Sequence, residues 1–190
     1  MRAIFSQWML VPLVLVCGCG APGDGWKSEL TRQTTQLGYR NWIVIAEASF
    51  PAHSRAGVRQ VNSYQPVPVV LDEVLRTLEQ TEHVRPKIFL TRELRAVSND
   101  MAPGVDELRE QLATALHGHE TIELEQDSLL TLVEDARKSF DVLVIRTNTA
   151  LPYASIFVEL EPGYWDGESE QMLRESLQRE RMRRLTAPAP

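Results

Sequence analysis

The chain has 190 residues, with 20 basic and 26 acidic side chains, 4 His, 2 Cys and a formal net charge of −6. That length allows one domain with short appendages, and a core that needs no covalent staples. The acidic balance excludes a general nucleic-acid binder, which carries a basic footprint. Two Cys exclude a disulfide framework, a four-Cys zinc site and an iron–sulfur cluster.

Both Cys fall in the opening segment, MRAIFSQWMLVPLVLVCGCG. One Arg precedes an apolar run, Trp8–Val16, which Pro12 interrupts, and small residues follow. This is the layout of a secretory signal. The run is too short to span a hydrocarbon core of about 30 Å, which takes roughly 20 residues. Val16-Cys17-Gly18-Cys19 resembles a bacterial lipobox, with Cys19 as the acceptor because Gly18 precedes it. The expectation is a leader over residues 1–18, a lipidated Cys19 and a tether over 19–25. The protein would then be held on a membrane of the bacterial cell envelope, on the periplasmic side. The plainer alternative is an ordinary secretory signal cut nearby.

Trp26, Leu30, Thr34 and Leu37 recur at helical spacing and predict a helix over Trp26–Leu37, ended by Gly38. Asn41–Glu47 (NWIVIAE) is a nearly continuous β-branched run, as in a strand covered on both faces. Ser49–Gly57 reads as loop and Val58–Val61 as a short strand. A helix follows over Val67–Thr81, with Val70, Val74, Leu75 and Leu78 on one face. Lys87–Thr91 is a further strand, Pro103–His117 a helix ending at Gly118, and Thr121–Leu124 a short strand. Asp127 is placed to cap a helix that runs to about Ser139. Asp141–Arg146 and Ser155–Leu160 are the last strands, joined through the polar segment Thr147–Ala154.

Alternating strands and helices predict an α/β class: a single three-layer domain over residues 26–163, with a largely parallel sheet and helices on both faces. Ligands in such sheets gather at the carboxyl ends of strands, here Glu47–Ser54 and Thr147–Ser155. Residues 164–190 form a charged C-terminal helix and a disordered tail. Gln171–Leu185 carries five Arg against two Glu, whereas Cys19–Glu170 carries 14 basic and 24 acidic residues. The plain reading docks this basic helix on its own acidic domain; the sharper one sets it on a membrane surface.

No GxGxxG, Walker loop, GxSxG or HExxH occurs. His117-Gly118-His119-Glu120 contains potential metal ligands, but it lies at a helix end without a second ligand cluster, and no metal is expected. A resemblance spread along the chain is more informative. Leu37-Gly38-Tyr39 leads into the strand ending at Glu47, followed by Ala48-Ser49-Phe50-Pro51-Ala52-His53-Ser54. Later, Val144-Ile145-Arg146-Thr147 precedes Leu151-Pro152-Tyr153-Ala154-Ser155 and a strand. In order and spacing these segments resemble the RbsD/FucU family of D-ribose pyranases and L-fucose mutarotases over roughly Glu29–Leu160. That family has Leu/Met-Gly-His, a strand ending in Asp, and in its fucose branch Phe-Pro-Ala-His-Ser. It closes on Val-Ile-Arg-Ser/Thr-Gly-Glu, then Tyr-Ala/Gly-Asn and a last strand.

The resemblance implies cofactor-free interconversion of sugar anomers or ring forms, on a monosaccharide such as fucose or ribose. It also implies rings of subunits with sites at the subunit interfaces, hence a homo-oligomer. The chemistry needs a base for the anomeric hydroxyl and an acid for the ring oxygen, best supplied by a group titrating near the working pH. The family's catalytic His falls on Tyr39, whose ordinary pKa is about 10. Its sugar-binding Asp falls on Glu47, its Tyr on Tyr153 and its Asn on Ser155. Its Gly-Glu has become Asn148-Thr149. His53 is the one residue of this set expected to titrate near neutrality, and with Tyr39 it is the catalytic candidate. Glu47, Tyr153, Ser155 and Arg146 are the substrate-binding candidates.

Each has a structural alternative: loop packing for His53 and Tyr153, and ion pairs for Arg146 and for Glu47, the latter with Arg55 or Arg59. Two functions stay open at this level. One is a membrane-anchored, RbsD/FucU-like monosaccharide-binding protein with mutarotase activity at a remodelled site. The other is a non-catalytic surface or scaffold lipoprotein that uses the fold for protein contacts.

Overall fold

The computed structural model describes residues 25–51 and 57–186. The expected leader, Cys19, the tether up to residue 24, His53 and the last four residues lie outside the described residues.

The β-branched runs make a six-stranded sheet. In chain order the strands are β1 (Trp42–Ala46), β2 (Val58–Asn62), β3 (Val84–Thr91), β4 (Thr121–Leu124), β5 (Val142–Arg146) and β6 (Ile156–Pro162). Their order across the sheet is β2-β5-β1-β6-β3-β4. β1 pairs in parallel with β5, β5 with β2, and β3 with β4, while β6 runs antiparallel to both β1 and β3. The reversal follows from the connection. Thr147–Ser155 is shorter than the dozen or so residues a parallel crossover requires, so the chain turns back beside β1.

Every residue of β1 is buried, as its unbroken apolar run requires. Its alternate side chains feed two cores. Ile43 and Ile45 join Leu143, Ile145, Ile156 and Val158 under three helices: α1 (Gly25–Thr34), α2 (Val67–Glu79) and α3 (Val105–Ala115). Trp42, Val44 and Ala46 join Phe89, Val144 and Phe157 under α4 (Gln126–Ala136), through Leu129 and Val133. Trp42 stacks on Phe89 with ring centroids 5.4 Å apart. Each fully buried side chain of this kind contributes about 1.5–3 kcal/mol. The molecule is thus a three-layer α/β domain with helices on both faces.

Three details differ from the sequence reading. The first helix ends at Thr34, and Leu37 is buried instead by a turn in which the Gln36 and Leu37 amides share the Gln33 carbonyl. Asp127 lies inside the first turn of α4 and does not cap it. The cap comes from a distant residue: the Glu93 carboxylate, on a 3-10 turn over Arg92–Arg95, accepts the Gln126 amide at 3.0 and 3.1 Å. Finally, the C-terminal helix α5 (Gly167–Thr186) does not dock along the domain, since Gln171–Leu185 is exposed throughout. It has no apolar stripe to bury. Its turns are tied by i,i+4 ion pairs instead: Arg174–Glu170, Arg179–Glu175 and Arg184–Glu180.

Candidate functional site

Because β1, β2, β3 and β5 point one way and β6 the other, the carboxyl ends of the first four meet the amino end of β6. Glu47 leaves β1 at this end. Its amide donates to Ser155 Oγ at 3.1 Å, and its carboxylate accepts from Ser49 Oγ at 2.9 Å and from the Ala154 amide at 3.3 Å. No shared charge holds Glu47 among the described residues; Arg59 does not pair with it, and Arg55 lies outside them. Two acceptor lone pairs of the carboxylate are thus occupied, and Glu47 as a whole is half-buried.

Tyr153 precedes Ala154, whose amide holds this carboxylate; it packs partly buried against the core under α1–α3 and has φ +59°, a strained value for a bulky residue. The strain is held from below, where Thr91 Oγ1 at the end of β3 donates to the Tyr153 carbonyl at 2.6 Å. Ser155 is buried, with its hydroxyl committed to Glu47. Arg146, at the end of β5, donates to the Ala48 carbonyl at 2.7 Å. The Gln60 amide oxygen, in the orientation that satisfies both groups, accepts from its Nε at 3.0 Å. Arg146 therefore braces the segment after Glu47 and, among the described residues, makes no ion pair. Glu47, Tyr153, Ser155 and Arg146 come together as one constellation.

The loop after β5 is equally committed. Thr147 Oγ1 donates to the Ala46 carbonyl, Thr149 Oγ1 accepts the Val67 amide, and Asn148 Nδ2 donates to the Tyr64 carbonyl at 3.0 Å. Asn148 and Thr149, which the resemblance sets where the family has Gly-Glu, thus tie this loop to the segment leading from β2 into α2, and Thr147 ties it to the end of β1. Tyr64, exposed and at φ +56°, is a further aromatic at this end. Sequence reasoning missed it, and Thr91 and Gln60 with it. Only Thr91 left a trace, as the last residue of a strand whose carboxyl end belongs to the site.

Tyr39 is elsewhere. It precedes β1, and the five residues of that strand put about 16 Å between its ends. Within one chain, Tyr39 and Glu47 therefore lie beyond opposite ends of β1, at the two opposite strand-end rims of the sheet. Tyr39 is 60% exposed and lines a cleft of about 570 Å³ with Arg40, Arg85, Glu161, Trp165 and Arg174. Arg40 also holds a positive φ, +69°, with its amide on the Leu160 carbonyl at 2.7 Å.

Among the described residues no group of three His, Cys, Asp or Glu side chains converges as metal ligands. His117 and His119 flank Gly118, whose φ of +85° makes the turn after α3.

None of the curated proteins matches the chain. Among solved structures, RbsD of Bacillus subtilis complexed with D-ribose is 22% identical, with a TM-score of 0.50 over 73% of this chain and 94% of that one. The fucose mutarotase of Streptococcus pneumoniae in complex with L-fucose is 20% identical, with a TM-score of 0.46 over 69% of this chain and 89% of that one. FucU of Bifidobacterium longum is 18% identical, with a TM-score of 0.44 over 70% and 92%. The likeness to RbsD establishes the fold. The sequence pattern of the RbsD / FucU transport protein family covers residues 26–160, and the chain belongs to that family.

Proposed function

We propose that the protein binds a monosaccharide at the Glu47 end of the sheet and exchanges its anomers or ring forms without a cofactor. The observation that carries this reading is the Glu47 carboxylate, fixed by Ser49 and by the amide of Ala154, which follows the strained Tyr153. A rigidly held carboxylate with spare lone pairs accepts from sugar hydroxyls, and a phenol on the residue before the amide that fixes it can supply both a donor and an apolar face. Family membership and the D-ribose bound by the B. subtilis relative make a small sugar the ligand class to test first.

In the reaction a base takes the proton of the anomeric hydroxyl while an acid gives one to the ring oxygen. The C1–O5 bond breaks, C1 becomes a carbonyl, and the ring closes again on the other face with the protons returned. His53, six residues beyond Glu47 in the sequence, is the group that serves both roles near neutral pH. Tyr39 cannot reach Glu47 in one chain, so its part in the site requires a second copy. A homo-oligomer that sets the Tyr39 edge of one subunit against the Glu47 edge of the next would complete the site. Cys19 carries the lipid that anchors the protein to the cell envelope.

Saturation-transfer NMR with D-ribose, L-fucose and D-galactose tests the binding step. Glu47→Ala should remove the signal. Absence of signal from every sugar overturns the reading and leaves the scaffold alternative, which otherwise lacks support because Tyr39 does not plug the Glu47 end. In His53→Ala, anomer exchange followed by NMR should fall about 10²–10⁴-fold; an unchanged rate removes His53 from the chemistry. Cys19→Ala should shift the protein from the membrane fraction to the soluble one.

A further inference from the structure

The family pattern stops at residue 160, yet the cleft around Tyr39 continues beyond it. Trp165 and Arg174 belong to the C-terminal extension and, with Glu161 at the end of β6, supply one wall, while Tyr39, Arg40 and Arg85 supply the other. The extension is built to hold that wall. Gly163 passes so close to the connection between α2 and β3 that a Cβ would lie 2.3 Å from the Glu82 carbonyl, and its amide donates to the His83 carbonyl at 3.0 Å. The chain then turns into α5, where the Trp165 indole donates to Glu170 at 2.8 Å and Asp166 accepts the Ser169 amide at 2.6 Å. Trp165 is fixed by its own N–H and still 39% exposed, with a ring free to meet a ligand.

The wall chemistry is that of a neutral, polyhydroxylated ligand. Two aromatic rings offer faces to sugar C–H groups. Of the charged lining residues, Arg85 pairs with Glu161 at 3.0 Å and Arg174 with Glu170 at 2.7 Å, while the Arg40 guanidinium lies over the Phe140 ring and Asp166 accepts the Ser169 amide. Paired charges add hydroxyl donors and acceptors without selecting a net charge, and the volume is within the range of small-molecule sites.

We infer that the C-terminal extension makes Trp165 a specificity-determining wall of the sugar site, closing over a neutral monosaccharide from the Tyr39 edge. This rests on the reading above, in which the Tyr39 edge of one copy completes the Glu47 site of another.

The test is sugar affinity by saturation-transfer NMR titration with D-ribose, L-fucose, D-galactose and D-glucuronate, on the full chain and on Trp165→Ala, Trp165→Phe and Glu47→Ala. The result expected is binding of a neutral sugar, weakened about tenfold or more in Trp165→Ala, substantially restored in Trp165→Phe, and abolished in Glu47→Ala. Unchanged affinity in Trp165→Ala with loss in Glu47→Ala overturns the wall and leaves the Glu47 site standing. Loss in Trp165→Ala with none in Glu47→Ala keeps Trp165 as a sugar contact and overturns the Glu47 reading. Binding of glucuronate in preference to all three neutral sugars overturns the ligand class. No binding by the wild-type chain overturns both.

Discussion

The backbone amide of Glu47 donates to the hydroxyl of Ser155 at 3.1 Å, across the seam where β1 ends and β6 begins. Ser155 is 3% exposed, so no water replaces the hydroxyl if it is removed. Ser155→Ala should leave the Glu47 N–H unsatisfied and destabilise the protein by about 1–3 kcal/mol. A denaturant midpoint checks this. The same variant should weaken any sugar held by Glu47, because the residue that aims the carboxylate has lost its backbone anchor. A wild-type midpoint would mean the bond contributes nothing.

The cap of α4 offers a test at a residue given no sugar contact. Glu93 reaches across from the 3-10 turn to bind the first amide of the helix with both oxygens. Glu93→Ala removes the cap and its charge from the positive end of the dipole, and should cost about 1 kcal/mol. Glu93→Gln keeps an acceptor and should cost less. Chemical denaturation separates the two, and equal losses would argue against a capping role.

Much of the layered architecture was legible because each strand and helix obeys one period. NWIVIAE has no polar face, so both sides of β1 had to be covered, and Val70, Val74, Leu75 and Leu78 leave α2 one face to bury. The antiparallel direction of β6 is a property of a short connection, which the strand composition does not record. The Glu47, Tyr153, Ser155 and Arg146 group was legible because the family resemblance and the carboxyl ends of β1 and β5 point to the same two segments. The distance to Tyr39 was implicit in the strand read between Tyr39 and Glu47, whose length separates them, but the family resemblance grouped the two in one site regardless of which chain supplies each. The Glu93 cap was hidden. Asp127 sits at a plausible local capping position, whereas the partner that fills the role is 33 residues away.

Gly163 makes a sharper steric prediction. An added Cβ would meet the Glu82 carbonyl at 2.3 Å and the Val84 amide at 3.0 Å, both of them backbone atoms in or beside β3. Neither can rotate away as a side-chain tip would. Gly163→Ala should therefore cost about 1–3 kcal/mol by overpacking, and displace the root of α5 together with Trp165. Thermal denaturation reads the first effect. The second should appear as altered chemical shifts of the Trp165 indole N–H, since its bond to Glu170 depends on where the helix begins. A stable variant with an unmoved indole signal would show that the extension is not held by this contact.

Acid should loosen the start of α5 through one group. Asp166 accepts the Ser169 amide at 2.6 Å, and that backbone bond is the main cause holding its carboxyl below the ordinary carboxylate range, with the nearby charge of Arg85 adding to it. A folded pKa below the unfolded one means the charged form is the stabilising form. Its contribution is whole above the ordinary Asp value of about 3.9. It declines as the pH falls below that value and is lost once the pH passes the depressed folded value. The Ser169 amide proton should therefore titrate with a midpoint below that of a free Asp. In Asp166→Asn, which keeps a capping oxygen but cannot ionise, this titration should vanish while the helix remains capped at neutral pH. Glu170, depressed chiefly by the Trp165 indole bond, titrates nearby in both proteins, so the difference between them isolates Asp166. An identical Ser169 titration in the variant would assign the acid response to Glu170 and remove Asp166 as the cap that sets the direction of α5.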